Sequence, residues 1–439
     1  MIAQPRIGHD EVFVLSKIFI ERGSVLACAS ALLMIMSNNV VAQTQTWDLL
    51  STAQRVLQEA PERGAAEAEV KARQGRLGQA SVWPNPTVEL GASNAMGKDD
   101  GKGGTDLNQF SISQPLPLSG RLGLQRKQAG ANLKQAQANV DQQSLLLEYE
   151  AARVFHGLQF SYAQLNLAQQ RLKSADEFQH IGQRREQAGD LSRLARLRLD
   201  LVRESAKQDM ASAEGDFSES LSDFQTLLNM AAAEPQLVAL DRFPALPPLL
   251  ELEARLNAHP ALMAARQGVE SAGHGVAVAR ANRWADPEVW LAQERDVLGG
   301  RRQNAIAFGV AVTVPLWNRG KGNIDTAQAN KQKAQLEVTG LQRQLGNRLR
   351  LNHLHLAHLV KQGREFRSRV LEPAEEVFQL SRKGFAAGQV EILNLVDAVD
   401  TYFSARVRYL ELLKQAWLEA AALRRNAGLS LLNHEGTAQ

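Results

Sequence analysis

The chain has 439 residues, of which 44% are hydrophobic, 22% charged and 5% aromatic. Its formal net charge of +3 is small for that length, and its bases lie among Glu and Asp, which argues against a nucleic-acid binder. Abundant Ala, Leu, Gln and Arg favour long helices over an all-β protein. Residues 1–42 read as a secretory signal peptide: Lys17 and Arg22 precede the apolar run Ser24–Met36, and Val40-Val41-Ala42 offers small residues for cleavage. That run is too short for a membrane span of roughly 20 residues. Cys28, the sole cysteine, falls inside it. It reads either as a lipoprotein cysteine or as a discarded residue; Leu26 and the apolar run continuing past it favour discard. A mature chain without a thiol has no disulfide, thiolate metal site or cysteine nucleophile. No later stretch reads as a transmembrane helix, so any membrane this chain spans it must span with strands.

After the signal, Thr46–Ala80 has the pattern of a helix, stopped by Trp83-Pro84-Asn85-Pro86. Val88, Leu90 and Ala92 then alternate with Thr87, Glu89, Gly91 and Ser93, and Asp106–Leu116 returns as a second strand. The pair predicts a β-hairpin over 87–116 around the polar loop Lys98–Gly104. Nothing breaks the helical pattern from Ser119 to Gln187, a helix on the order of 100 Å long. Ala151, Leu158, Leu165 and Leu172 form one heptad seam of it; Leu133, Val140, Leu147 and Val154 form another. Gly189-Asp190 supplies a stop, Leu191–Leu228 the next helix, and Ala231–Pro248 a linker.

The order then recurs. Pro260, Trp284, Pro315, Gly320 and Gly388 follow Pro61, Trp83, Pro115, Gly120 and Gly189 by 199 to 201 residues, which predicts an internal duplication. Residues 43–248 form the first repeat and 249–428 the second, with a hairpin over 287–316, a tip turn near 388 and a tail over 429–439. In the last strand, Ile306, Phe308, Val310, Val312 and Val314 are bulky and apolar while Ala305, Ala307, Gly309, Ala311 and Thr313 are small, and the strand runs to Pro315. The closing helix repeats the seam spacing with Val396, Phe403, Leu410 and Trp417. Paired seams of this kind build coiled coils, and polar remaining faces suit a thin wall with water on both sides.

Strands of about ten residues match the ~9–11 that cross a bilayer when tilted. A membrane barrel needs at least about eight strands and tolerates no open edge. The four strands read from this sequence therefore imply an oligomer sharing one barrel, and three chains would supply twelve. The bland reading is two soluble hairpins packed on helices.

The motifs WPNPTVEL, FSISQPLPLSGRLG, VAVTVPLWNRGKGNI and AAGQVEILNLVDAVDTYFSARVRYLELL resemble the outer-membrane efflux protein family of TolC type. WPNP and VPLWNRGKGNI look most like its heavy-metal cation (cobalt–zinc–cadmium) efflux branch, and the resemblance spans Trp47–Gly428. It implies a mainly α fold with a small β part. Long antiparallel helical hairpins would form a periplasmic coiled-coil tunnel, and four strands per chain would contribute to a homotrimeric twelve-stranded barrel in the lipid of the outer membrane. It also implies the role of exit duct for a tripartite pump, partnered by a periplasmic adaptor protein and an inner-membrane efflux pump. The adaptor would meet the helix tips, which carries over to Ala188, Gly189, Leu191, Gly388 and Val390. Asp397 falls where the family has an acidic residue at the narrow periplasmic end, with Asp400 at i+3. Arg198, the repeat counterpart of Asp397, suggests a salt bridge or a cation-attracting constriction, against the alternative of solvated charge. The Tyr and Arg with which some members lock the aperture are replaced here by Phe385 and Val390, so this gate departs from the pattern.

His353, His355 and His358 sit in HLHLAHL; His355 and His358 are neighbours at i+3 and form a weak metal candidate against the alternative of a solvated helix face. No nucleophile, base and orienter assemble, and the reading expects no enzymatic activity and no cofactor. Two further readings stay open: a duct for drugs or secreted polypeptide, and a soluble periplasmic coiled-coil adaptor or scaffold.

Overall fold

The computed structural model describes residues 47–93, 106–230, 237, 240–298 and 301–432. The segment read as a signal peptide, with Cys28, the loop Lys98–Gly104, most of 231–239 and the tail beyond 432 lie outside the described residues. Helix α1 (Leu49–Glu59) starts from a capping box in which the Ser51 N–H donates to Asp48 Oδ1 at 2.7 Å and the Asp48 N–H to Ser51 Oγ at 3.1 Å. The single helix expected over 46–80 is two. Pro61 opens α2 (Pro61–Gln79) and holds Ala60 extended (φ −68°, ψ 119°), as the residue before a proline prefers.

Strands β1 (Thr87–Ser93), β2 (Asp106–Pro115), β3 (Glu288–Leu298) and β4 (Arg301–Ala311) form one antiparallel sheet in the order β1-β2-β3-β4. The hairpins therefore share a sheet, with β2 paired to β3. The last strand ends at Ala311, not at Pro315, because its partner begins at Glu288 and no strand among the described residues pairs with Val312–Val314.

Between and after the hairpins run α3 (Arg121–Gln187, 67 residues), α4 (Arg193–Leu228), α5 (Leu249–Arg255), α6 (Pro260–Ala281), α7 (Lys321–Phe366), α8 (Glu372–Ala386) and α9 (Ile392–Ala427). A π-turn, Arg367–Leu371, joins α7 to α8. Pro373 lacks the N–H of the next helical turn, and the wider turn accommodates it.

Near the sheet the helices pack in the order α2, α3, α6, α7, so each strand continues into one helix of a wall. Farther along, α3 is flanked by α4 and α9, and α9 by α7 and α8. The short helices α1 and α5 cover the wall at corresponding places. Val56 and Leu57 of α1 join Ala151, Phe155, Leu158 and Phe224 in one core. Leu252 of α5 joins Leu349, Leu356, Ala416 and Leu423 in another. A third core lies toward the tips, where the Phe378 and Tyr402 rings stack at 4.8 Å beside Phe178, Phe385 and Phe403. The described end of the linker, residues 240–248, is fastened to the helices. Phe243 fills the notch left by Gly363, Trp417 Nε1–H donates to the Arg242 carbonyl at 2.8 Å, and His353 Nε2 lies 3.0 Å from that of Pro247.

Backbone singularities recur at the spacing read from the sequence. Gly120 (φ 71°) and Gly320 (φ 66°) precede α3 and α7; Gly189 (φ 80°) and Gly388 (φ 77°) end α3 and α8; Asn229 (φ 52°) and Gly428 (φ 73°) end α4 and α9. Of the seam residues, Leu147, Ala151, Val154, Leu158, Phe403 and Leu410 are buried, while Leu133, Val140, Leu165, Leu172, Val396 and Trp417 are half-buried. The remaining faces are less polar than expected: Leu194, Leu197 and Leu201 of α4 and Val377 and Leu380 of α8 are exposed. Both helices stand at the ends of the tip row, and no further helix packs beyond them among the described residues.

Candidate functional site

The sheet has two chemically distinct faces. Register places Val88, Leu90, Phe110, Ile112, Val289, Leu291, Ile306, Phe308 and Val310 on one side, all exposed or nearly so, with Phe308 at 85%. Toward the β3–β4 turn this face becomes polar at Gln293 and then Arg295, whose Nε–H donates to Asn304 Oδ1 at 3.3 Å. The opposite side carries Thr87, Ser111, Ser113, Ala292, Ala305, Ala307 and Gly309, with the carboxylates Glu89, Glu288 and Glu294. Across residues 87–91, 109–115, 288–294 and 305–311 that side holds no Lys or Arg. Gly309 is small for a reason the sequence concealed. The Trp290 ring lies over it, and a Cβ there would meet Trp290 Cζ2 at 2.5 Å. The outer edges of β1 and β4 have no partner strand among the described residues. Such edges cannot face lipid.

At the other end, two turns are built alike. Asp190 N–H donates to the Arg185 carbonyl (2.8 Å) and Gly189 N–H to that of Glu186 (3.0 Å). Likewise Gln389 N–H donates to Gly384 (2.8 Å) and Gly388 N–H to Phe385 (3.1 Å). Each is a Schellman cap whose glycine takes the left-handed conformation. Ala188, Gly189 and Gly388 are exposed, while Leu191 and Val390 turn inward onto the tip core. Val390 packs on Gly384, where a Cβ would come within 2.4 Å of Val390 Cγ2. Phe385 is fully buried, with the Arg185 guanidinium 5.2 Å from its ring centroid. Arg185 Nη1–H also donates to the Phe385 carbonyl at 3.1 Å, fastening one tip to the other. The pair Arg184-Arg185 beside the tip glycine was its sole trace in the sequence. Gly189→Val and Gly388→Val are each expected to destabilise their tips by about 1–2 kcal/mol, read as faster tryptic cleavage at Arg184 and Arg193 for the first and at Arg382 and Lys383 for the second.

The charged residues near the tips connect differently from the expectation. Asp397 and Asp400 are both exposed one turn apart on α9. Arg198 forms no ion pair with either of them within this chain, among the described residues. The partner of Asp400 is Arg171 of α3, which donates to Asp400 Oδ1 and to Asp209 Oδ2, both at 2.7 Å, and so ties α9 to α4. A separate tie joins Arg203 of α4 to Asp176 of α3 at 2.6 Å.

The histidines scatter. His353 holds the linker, His355 Nδ1 is 3.5 Å from Glu419 Oε1, and His358 is exposed. Among the described residues no group of three or more His, Cys, Asp or Glu could hold a metal ion. His156, which sequence reasoning passed over, is buried between Phe155 and Trp417 with Nδ1 2.9 Å from Gln159 Oε1. Burial depresses its pKa to about 4, against an opposing contribution from the Gln159 hydrogen bond. His259 caps α6, its Nδ1 accepting the Ala261 N–H at 3.2 Å and its Nε2 lying 3.2 Å from the Arg425 carbonyl; burial lowers its pKa too.

The tail read over 429–439 is anchored at its start. Glu148, 3% exposed, accepts hydrogen bonds from Ser430 Oγ at 2.7 Å and the Leu431 N–H at 2.6 Å, and Leu431 and Leu432 pack on the core beneath α1. Glu148→Ala leaves those donors unpaired and is expected to lower stability by about 1–3 kcal/mol, measured as a shift in the urea midpoint against Glu148→Gln.

Among the described residues no helix is long and apolar enough to cross a membrane. The sequence profile of the outer membrane efflux protein family matches residues 52–230 and again 252–429. The chain is 27% identical over 379 residues to the cobalt-zinc-cadmium resistance protein CzcC of Cupriavidus metallidurans, covering 83% of this chain and 86% of that protein. It is 23% identical over 311 residues to the nickel-cobalt-cadmium resistance protein NccC of Alcaligenes xylosoxydans xylosoxydans, covering 71% of this chain and 70% of that one. The solved outer membrane protein VceC of Vibrio cholerae superposes with a TM-score of 0.71 at 17% identity, over 87% of this chain and 96% of that one. The two-faced sheet, the continuous helical wall and a profile match across both halves lead to one assignment: this chain belongs to the outer membrane efflux protein family.

Proposed function

We propose that three copies of this chain close a twelve-stranded barrel and a helical tunnel that passes heavy-metal cations outward, fed by an inner-membrane pump through a periplasmic adaptor. The protein is an outer-membrane efflux channel whose helical part lies in the periplasm. The observation that carries the duct reading is the sheet, with one apolar face, an opposite face of small and acidic side chains, and two edges without a partner strand among the described residues. Closure of β4 of one chain on β1 of the next removes those edges. The recurrent left-handed residues and the twofold profile match support a duplicated unit.

Metal cations as cargo are supported by the metal-resistance names of both relatives and by the carboxylates on the inner face. On this reading the tips around Gly189, Leu191, Gly388 and Val390 meet the adaptor, and Asp397, which forms no ion pair among the described residues, contributes to a ring of carboxylates at the narrow end. Residues 1–42 would be removed on export.

Deletion of the gene and complementation on a panel of zinc, cobalt, cadmium, nickel and copper salts, with a drug panel alongside, tests the cargo. Restored metal tolerance is the expected outcome; restored drug tolerance alone would keep the duct and reject the metals. In planar bilayers the triple variant Glu89→Gln/Glu288→Gln/Glu294→Gln is expected to lose most of its preference for cations over anions, since charge lining a low-dielectric pore governs ion entry.

A further inference from the structure

At the junction of sheet and helices, the second half of the chain carries a cluster of bases that the first half lacks. Arg280 and Arg283 lie a turn apart at the end of α6, and the Arg283 stem rests beside Gly320, where a Cβ would sit 3.6 Å from Arg283 Cγ. Arg319 and Lys321 flank that same glycine, whose N–H donates to Asn318 Oδ1 at 3.1 Å in the turn opening α7. All four bases are exposed, and none forms an ion pair among the described residues. Of the nearby carboxylates, Asp286 is engaged by Arg121, Glu288 lies on the inner face of the sheet, and Asp325, one turn along α7 from Lys321, is exposed and forms no ion pair among the described residues. A groove of ≈ 390 Å³ lined by Asn282, Gly320 and Asn323, among others, opens beside the bases.

The fold does not require this charge. At the positions 200 or 201 residues earlier stand Gln79, Val82, Ser119 and Arg121, and the last of these is neutralised by Asp286. The counterpart of Asp286 is Asn85, so the repeat supplies Lys321 with no equivalent acid. Depth supplies the second observation. Trp284 and Trp317, adjoining the bases in sequence, are 57% and 93% exposed and sit at the helix-side end of the apolar band. Exposed tryptophans at the end of an apolar band mark a membrane–water interface.

We infer that Arg280, Arg283, Arg319 and Lys321 bind the phosphate-bearing headgroups of anionic phospholipids in the leaflet on the helix side of the barrel, an inference that rests on the outer-membrane reading above. Arginine forks match phosphate oxygens, the lysine adds a point charge, and the tryptophans hold the collar at headgroup depth. Free phosphate satisfies the bases but gains nothing from the apolar belt, and an acidic partner protein would not place them beside exposed tryptophans.

The test uses the full chain purified from outer membranes in neutral detergent, supplemented with phosphatidylglycerol or phosphatidylethanolamine and read by native mass spectrometry. The wild type is expected to retain phosphatidylglycerol in preference. Arg319→Gln and Lys321→Gln should each lower its retention by a factor of about five, and the fourfold Gln variant should abolish the preference. Inorganic phosphate at matched concentration should displace little of the lipid, while rising salt should displace it progressively. Equal retention of both lipids by the wild type would overturn the proposal, as would an unchanged preference in the fourfold variant. Ready displacement by inorganic phosphate would reassign the collar as a free-anion site. If the fourfold variant does not assemble, the single variants and the salt series decide: loss of the trimer with unchanged lipid retention would make the collar a subunit contact instead. Metal tolerance complemented by the single variants would show that the duct reading stands whichever way the lipid result falls.

Discussion

Phe308→Arg is expected to remove the heat-sensitive trimer from the outer membrane, whereas Ala305→Arg on the same strand leaves it in place. The two positions lie on opposite faces of β4. Phe308 is paired with Leu291 in the middle of the apolar band and is 85% exposed within one chain; Ala305 is paired with Glu294 on the other side. If the band faces lipid, an arginine there costs about 2–4 kcal/mol near the midplane, and a threefold barrel bears that cost at three places. On the inner face the same side chain enters water and gains a carboxylate directly across the strand, worth a few tenths of a kcal/mol, up to about 1. A soluble sheet that buried its apolar face on some other partner would also suffer from Phe308→Arg, but its protein would fractionate with the periplasm in the wild type. Equal loss of trimer in both variants would show that the faces have been assigned wrongly. A graded series along the band, from Val310 through Phe308 to Ile306, should trace the depth of the bilayer.

That contrast was legible in the sequence because a strand writes its two faces into alternate positions, and the alternation from Ala305 to Ala311 is nearly strict. The tip glycines were legible for a related reason: a left-handed residue at a helix end is a local requirement, satisfied at Gly189 and Gly388 without reference to distant chain. Pro61 announced its break just as locally, although the apolar pattern running across it invited a single helix. What the sequence hid depends on residues far apart in the chain. The notch at Gly363 makes sense only with Phe243 in it, and the one at Gly309 only with Trp290 above it. Arg171 could be any solvated arginine until α4 and α9 bring Asp209 and Asp400 to its two ends. The same holds for the proposed constriction, where equivalence under the repeat suggested Arg198 for Asp397 although the helix packing within one chain does not join them. The exposed stripes on α4 and α8 break the rule of polar outer faces, since each helix ends a row that a neighbouring chain is proposed to extend.

The second large effect concerns acid. His156 sits in the middle of α3, buried against Phe155 and Trp417, and its pKa is depressed to about 4 from an ordinary 6.5. In the unfolded chain it binds a proton below its ordinary pKa, while the folded chain stays neutral there down to about 4. The unfolded state therefore holds more protons across that window, and stability falls as the pH drops through it. The contribution is fully present above the unfolded pKa. It declines by about 1 kcal/mol at pH 5.5 and by about 3 kcal/mol once the folded pKa is reached. His259, also lowered by burial, adds a loss of the same sign. Because carboxylates titrate nearby, the informative quantity is the difference between wild type and His156→Asn, which keeps a polar side chain toward Gln159 without titrating. Urea midpoints at pH 7.5, 6.5, 5.5 and 4.5 should converge for the two proteins as the pH falls, with the wild type more stable at neutral pH. Parallel midpoints across the series would mean that His156 is already solvated in the assembled channel, and that the contact of α3 with α9 at Trp417 opens to water.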